Sequence, residues 1–377
     1  MSPAEDQRDM SLALALGARG LGHVWPNPAV GAVLVRPGLT GGRIVGRGWT
    51  QAGGRPHAET MALAQAGDQA RGASAYVSLE PCAHHGQTPP CADALIAAGI
   101  VRVVSALEDP DPRVAGQGHA RLRQAGVAVT TGLLAAEAER IHQGFLSRVR
   151  LGRPFVTLKL ASSFDGKIAT ASGQSRWITG PQARAFVHML RASHDGVLIG
   201  GGTARADDPL LTIRDLGMTH QPVRIVAARH LDLQPEGRLA QSAHQTPLWL
   251  LHGQTGIPPA RLGHWQQKGA RLIPVALSGG QLDPLAMLQA MAQAGLTRVL
   301  CEGGGALAAS LLQAGLVDQL IGFTAGMILG AEGQPGIGAT GIATLAEAQR
   351  FTLQETRAIG PDVLHIWRAS AEQTSPP

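Results

Sequence analysis

His57-Ala58-Glu59, followed further on by Glu80-Pro81-Cys82-Ala83-His84-His85-Gly86-Gln87-Thr88-Pro89-Pro90-Cys91, is the stretch from which the rest of the chain is read. One imidazole (His57) and two thiols (Cys82, Cys91) make a nitrogen–sulfur ligand set suited to a tetrahedral Zn²⁺. Three protein ligands leave a fourth position open to water, as a catalytic ion requires. Glu59 stands two residues after His57, close enough to move protons beside the ion without binding it. A closed structural site, with His84 or His85 as fourth ligand, is the alternative, and it would leave Glu59 without a role.

The order of these residues matches the zinc-deaminase pattern H-x-E followed by P-C and a second Cys. Eight residues separate the two cysteines here, against two in the short-loop enzymes that edit nucleic acids. Pro56 and Pro89-Pro90 precede predicted helices over 57–66 and 91–98, because proline is tolerated at a helix start. His57 and Cys91 then sit at helix N-termini, where the positive end of the dipole favours a thiolate. Further helices are expected from near Ala4 to Ala18 and over 135–149, with strands over 29–35, 43–49, 75–79 and 101–107. This alternation predicts a layered α/β domain with a mostly parallel sheet over residues 1–150.

The boundary is placed in Arg148-Val149-Arg150-Leu151-Gly152-Arg153-Pro154, with a second domain over 151–377. Its strands are expected at 155–161, 196–200, 223–227, 247–252, 272–277 and 298–301, with helices between most of them. Residues 351–356 and 363–367, split by Gly360-Pro361-Asp362, read as an antiparallel hairpin. The strand ending at Glu302 runs into Gly303-Gly304-Gly305 and a predicted helix over 306–313, and Gly200-Gly201-Gly202-Thr203 repeats the pattern. A bare glycine turn before a helix N-terminus is a seat for phosphate. Either turn alone is weak evidence; two in one domain point to a dinucleotide. The full G-x-G-x-x-G with a downstream acid is absent, which disfavours a Rossmann domain.

Composition narrows the class. A chain of 377 residues favours two domains, and 44% hydrophobic residues support sizeable cores. The net charge of +5 comes from arginines that form no run, and aromatic residues are 3% with one tyrosine, Tyr76. A groove for single-stranded nucleic acid needs cations interleaved with aromatics, so a nucleic-acid partner is not expected. Three cysteines, two of them in the metal motif, argue for a reducing compartment. Glu5, Asp6 and Asp9 are unlike a secretory leader, and no apolar run approaches the ~18 residues of a membrane span. A cytoplasmic location follows as the expectation.

From about residue 7 to residue 368 the chain resembles the bifunctional riboflavin-biosynthesis deaminase/reductase family. The resemblance is carried by Asn27-Pro28-Ala29-Val30-Gly31, the two halves of the metal motif, and Asp109-Pro110-Asp111-Pro112-Arg113-Val114-Ala115-Gly116. It continues through Lys159-Leu160-Ala161-Ser162-Ser163-Phe164-Asp165-Gly166-Lys167, Ser175-Arg176-Trp177-Ile178-Thr179, Gly202-Thr203-Ala204-Arg205-Ala206-Asp207-Asp208-Pro209 and Glu302-Gly303-Gly304. It implies a cytidine-deaminase-like three-layer α/β domain followed by a dihydrofolate-reductase-like α/β domain. It also implies two reactions. The first is hydrolytic loss of the 2-amino group from 2,5-diamino-6-ribosylamino-4(3H)-pyrimidinone 5′-phosphate, and the second is reduction of the ribosyl side chain to ribityl by NADPH.

By the same resemblance His57, Cys82 and Cys91 hold zinc and Glu59 carries protons. Asn27, His84, Asp109 and Asp111 contact the deaminase substrate. Lys159, Ser175, Leu211 and Glu302 contact the reductase substrate, with Arg191 and Arg214 as its phosphate clamp. Ala161, Ile168, Ala169, Thr170, Ala171, Trp177, Thr203, Asp207 and Gly303 to Gly305 line NADPH. Asp207 assists proton transfer at the ribose. A homodimer or larger homo-oligomer through the reductase domain is implied as well. The chain departs from the family at Gln87 and Thr50, where a cationic side chain is common. One lost phosphate contact weakens binding by about 1.5–3 kcal/mol unless a neighbour such as Arg55 or His85 replaces it. Three rival readings are a nucleic-acid deaminase, a binding module that keeps only the folds, and a reductase whose deaminase half acts on another pyrimidine or pterin. The first lacks its aromatics, the second has no use for Glu59, and the third draws on Thr50 and Gln87.

Overall fold

The computed structural model describes residues 2–38, 41–84, 89–112 and 114–370. His85, Gln87 and Arg113 therefore lie outside the described residues. The chain divides into two compact units, Met1–Gly152 and Arg153–Pro377.

The first unit runs α1 (Pro3–Ala18), β1 (Gly31–Arg36), β2 (Arg43–Trp49), α2 (Ala58–Ala66), β3 (Ser74–Val77), α3 (Cys91–Ala97), β4 (Arg102–Ser105), α4 (Gln117–Gln124), β5 (Ala128–Thr131) and α5 (Ala135–Leu151). The strand order is β2-β1-β3-β4-β5. β3, β4 and β5 are parallel, but β1 is antiparallel to both of its neighbours. The sheet is thus mixed, not mostly parallel as expected. The link from Pro37 to Gly42 is too short for the crossover that a parallel β1–β2 pair would need.

Alternate residues of each strand face opposite layers. Leu34, Ala75, Val77 and Val103 pack against α2, α3 and α4 with Ala58, Ala62, Leu95 and Leu122. Val33, Tyr76 and Val104 face α1 and α5 with Met10, Leu14 and Ala138. Two glycines let α2 lie directly on β2: a Cβ on Gly48 would stand 2.1 Å from the Ala58 carbonyl oxygen, and one on Gly46 would stand 2.2 Å from that of Ala62. This close approach sets the height of the helix that presents His57 and Glu59.

The second unit begins with β6 (Phe155–Ser163), β7 (Lys167–Ala169), α6 (Pro181–Ala192), β8 (Gly196–Gly200), α7 (Gly201–Asp207), β9 (Val223–Ala227), α8 (Arg238–Gln241), β10 (Leu248–Gly253), α9 (Pro259–Gln267) and β11 (Arg271–Val275). It goes on with β12 (Leu277–Ser278), β13 (Gln281–Leu282), α10 (Pro284–Gln293), β14 (Arg298–Gly303), α11 (Gly305–Gln313), β15 (Gln319–Ala325), β16 (Gln334–Pro335), β17 (Phe351–Ile359) and β18 (Asp362–Ala369). Its main sheet has the order β11-β10-β9-β8-β14-β6-β15-β18-β17.

The strands from β11 to β15 are parallel, and the expected C-terminal hairpin closes the sheet as antiparallel β18 and β17. Sequence reading did not anticipate β15, which joins that hairpin to β6. Its first partner is secured by a buried ion pair. Arg153 donates to both Asp318 oxygens at 2.7 and 2.8 Å, and the Val156 N–H donates to the same carboxylate at 2.7 Å.

Each unit buries a histidine in its neutral form. His142 on α5 shares a 3.1 Å hydrogen bond with Ser78 Oγ, and burial pushes its pKa down to about 4. His194 bonds the Leu190 carbonyl and Thr157 Oγ1 at 2.7 and 2.9 Å, and burial pushes it down to about 3. Unfolding returns both to about 6.5, so the unfolded chain binds more protons below that pH. Their contribution is complete above pH 6.5 and falls as pH drops toward 4, on the order of 3 kcal/mol for each. Melting followed between pH 7.5 and 5 should show this loss, and His142→Asn should flatten it. An unchanged profile in that variant would refute the assignment.

Candidate active sites

The first site is built by three local structures. His57 is the N-cap residue of α2, Cys82 lies in the turn after β3, and Cys91 is the first residue of α3. His57 Nδ1 stands 3.3 Å from Cys91 Sγ and 3.7 Å from Cys82 Sγ, and the three atoms lie within 4.8 Å of one another. A tetrahedral zinc with ordinary Zn–S and Zn–N bonds has N···S edges of about 3.6 Å. The donor set and its spacing therefore fit that ion.

The helix start serves the sulfurs as expected. The Cys91 N–H donates to Cys82 Sγ at 3.3 Å. Hydrogen bonding from Cys91 pulls the Cys82 thiol down to about 4 even before a cation's charge is counted. The same bond pushes the Cys91 thiol up. Glu59 is 3% exposed on the first turn of α2. Burial, with the Cys82 thiolate beside it, pushes the Glu59 carboxyl up to about 7. A carboxyl that titrates near neutrality can both take and give a proton.

Of the other residues expected to contact substrate, Asn27 lies before β1, His84 after β3, and Asp109 and Asp111 after β4. The Asn27 amide donates to the Gly54 carbonyl at 3.0 Å, and Gly54 (φ +84°) has no room for a Cβ beside it. His84 is exposed in the turn after Cys82. The Asp109 carboxylate accepts the Asp111 N–H at 2.9 Å, and burial pushes the Asp109 pKa up. Thr50 is 2% exposed and braces the chain, accepting from the Val30 N–H at 3.0 Å. A residue was also missed. Glu80, buried at the exit of β3, binds three backbone N–H groups of the Asp109 loop and α4. A carboxylate two residues before a ligand cysteine was its visible signal.

In the second unit the two glycine turns end neighbouring strands, β8 and β14. They touch: a Cβ on Gly304 (φ +83°) would stand 2.8 Å from Thr203 Oγ1. Lys159 and Ala161 lie on β6, on the other side of β14, and Glu302 on β14 itself. Burial lowers the Lys159 pKa, and Glu302 opposes that shift. Burial works against the Glu302 charge, yet Arg191, with Lys159 and His188, holds its pKa below the usual range.

Arg191, expected in a phosphate clamp, faces a carboxylate in this structure. Its Nε and Nη2 donate to the two Glu302 oxygens at 2.5 and 2.8 Å, and its Nη1 donates to the Thr212 carbonyl at 2.8 Å. Three of its five N–H donors are thus engaged by Glu302 and the Thr212 carbonyl. Arg214 is exposed, and its N–H donates to His188 Nδ1 at 3.3 Å. Leu211 is 3% exposed and its side chain belongs to the core.

Ile168 and Ala169 lie on β7, with Thr170 and Ala171 directly after it. Ser175 is half-buried, and Trp177 is 65% exposed under the Arg184 guanidinium at 4.5 Å. Asp207 ends α7, exposed and without a hydrogen bond or ion pair among the described residues.

Comparison with known proteins matches residues 3–107 to the cytidine and deoxycytidylate deaminase zinc-binding region and residues 154–365 to the RibD C-terminal domain. The riboflavin biosynthesis protein RibD of Escherichia coli (strain K12) is 42% identical over 375 residues, which span 96% of this chain and 99% of that protein. RibD of Synechocystis sp. (strain ATCC 27184 / PCC 6803 / Kazusa) is 40% identical, covering 95% of each. Among solved structures, Acinetobacter baumannii RibD is similar with a TM-score of 0.86 at 35% identity, covering 97% of this chain and 99% of that one. A deaminase/reductase from Thermotoga maritima gives 0.84 at 33% identity, with the same coverage.

Proposed function

The chain belongs to the RibD family of bifunctional deaminase/reductases of riboflavin biosynthesis, and from that premise we propose how its residues divide the two reactions. The N-terminal unit is the zinc-binding deaminase domain and the C-terminal unit the NADPH-dependent reductase domain. The substrate is a small pyrimidine, and no described helix is long and apolar enough to cross a membrane.

The observation that carries the first assignment is the His57–Cys82–Cys91 cluster with Glu59 buried beside it. Zinc held there by His57, Cys82 and Cys91 would supply a water that ionises near neutral pH. Glu59 is placed to take a proton from the attacking water and to hand it to the ring nitrogen beside C2. It then takes the proton of the new C2 hydroxyl and delivers it to the departing amino group, so that ammonia leaves and a carbonyl remains. Asn27, His84, Asp109 and Asp111 orient the diaminopyrimidinone ribotide.

In the second unit NADPH supplies the hydride for the ribosyl carbon. The touching glycine turns, with Thr203, Ala161, Trp177 and residues 168–171, seat the cofactor. Lys159, Ser175 and Glu302 orient the ribose, and Arg214 meets the phosphate while Arg191 holds Glu302. Asp207, without a partner among the described residues, assists the proton transfer that the opening ribose ring needs. The enzyme works in the cytoplasm, a reducing compartment that suits a chain whose three cysteines form no disulfide. It pairs through the reductase unit, whose outer strand β17 is exposed over most of its length; a monomer mass in sedimentation would refute that pairing.

A coupled assay tests the division of labour. Cys91→Ala should lose bound zinc and all ammonia release, yet oxidise NADPH on pre-deaminated substrate at the wild-type rate. Retained ammonia release would sink the assignment of the metal site.

A further inference from the structure

The Glu80 carboxylate lies two residues before Cys82 and its side chain is 2% exposed. It is met by backbone alone at three points. Oε2 accepts from the Asp109 N–H at 3.1 Å and from the Gly116 N–H at 2.9 Å, while Oε1 accepts from the His119 N–H at 3.1 Å. These donors belong to the start and end of the loop between β4 and α4 and to the first turn of α4.

Two further contacts fix the same junction. A Cβ on Gly118 would stand 1.9 Å from the Pro81 carbonyl oxygen, so α4 begins directly against the Glu80-Pro81-Cys82 segment. His119 Nε2 lies 2.8 Å from Ser105 Oγ at the end of β4. Burial lowers the His119 pKa, and its Nδ1 stands 3.8 Å from Glu80, beyond hydrogen-bonding distance. The Glu80 carboxylate is therefore satisfied mainly by loop amides.

We infer that Glu80 is a positioning residue of the deaminase site: it ties the loop carrying Asp109 and Asp111 to the turn carrying the zinc ligand Cys82. This rests on the reading that Asp109 and Asp111 contact the substrate. An acceptor-only group is required because three donors converge on it. Glutamine has the same shape but offers one acceptor oxygen, and its amide hydrogens would face N–H groups. The loop would then retreat, and an error of about 1 Å in a binding group costs on the order of a hundredfold.

The test is Glu80→Gln in the full-length, zinc-loaded enzyme. Zinc content and reductase kcat/KM should be unchanged, the latter serving as an internal control for folding. The deaminase KM should rise about 10- to 100-fold, with a smaller change in kcat, and the Asp109, Gly116 and His119 amides should exchange hydrogen faster. Unchanged KM, unchanged exchange at those amides, or loss of zinc would each overturn the inference. Asp109→Asn and Asp111→Asn separate it from the reading beneath. If neither alters KM, the substrate-contact reading fails, whereas the exchange rates still decide whether Glu80 holds the loop.

Discussion

Glu59→Gln lowers the deaminase kcat by about 10²- to 10⁴-fold, the usual worth of a general acid–base group, and leaves zinc and the reductase untouched. The amide matches the carboxylate in size, so the packing of a residue 3% exposed is preserved. It cannot carry a proton, however, and the reaction needs one moved from water to ring nitrogen and one delivered to ammonia. Because Glu59 is not part of the His57–Cys82–Cys91 cluster, the metal stays. Ammonia release, metal content and NADPH oxidation on pre-deaminated substrate are the three readouts. A variant within tenfold of wild type in ammonia release would show that another group moves the protons. Loss of zinc would show that Glu59 is a ligand after all.

The second large effect lies at Glu302. Its carboxylate carries the bidentate pair to Arg191, with side chains 10% and 12% exposed, and it also offsets the charge of Lys159. Glu302→Gln keeps the shape and leaves two largely enclosed cations, Arg191 and Lys159, without their anion. Removing one partner of a buried pair costs about 3–5 kcal/mol, far more than the ~0–1 kcal/mol of a surface pair. The reductase unit should therefore unfold at lower urea concentration and lose activity. Ammonia release by the other unit should persist under the same conditions. A loss below about 1 kcal/mol would mean that solvent reaches the pair and that the burial argument is wrong.

Much of the deaminase centre is legible in the residues themselves. Ligand types and the His57–Glu59 spacing are chemistry written into adjacent positions, and Pro56 and Pro89-Pro90 mark the helices that present His57 and Cys91. The glycine turns after β8 and β14 and the C-terminal hairpin are equally local signals. The partnership of Arg191 with Glu302 is not, since the two are 111 positions apart and meet because α6 packs near the end of β14. A phosphate clamp and a carboxylate clamp demand the same guanidinium, so residue type alone could not choose between them.

Thr50 teaches the same point from the other side. As a departure from the family pattern it reads as a lost substrate contact, whereas folding gives its hydroxyl to the Val30 peptide. The place of Glu80 two residues before a ligand cysteine was visible, but what it binds was not, because its partners are backbone N–H groups, which every residue carries and no sequence pattern marks. The sequence by itself pointed to two α/β units, and its side-chain chemistry and short-range spacing picked out His57, Cys82 and Cys91 as candidate metal ligands with Glu59 as candidate proton carrier beside them. The tertiary structure alone decided the mixed strand order, the placing of β15, and which charged groups spend themselves on protein rather than substrate. Those depend on which distant segments become neighbours, and on the need of every buried charge for a partner.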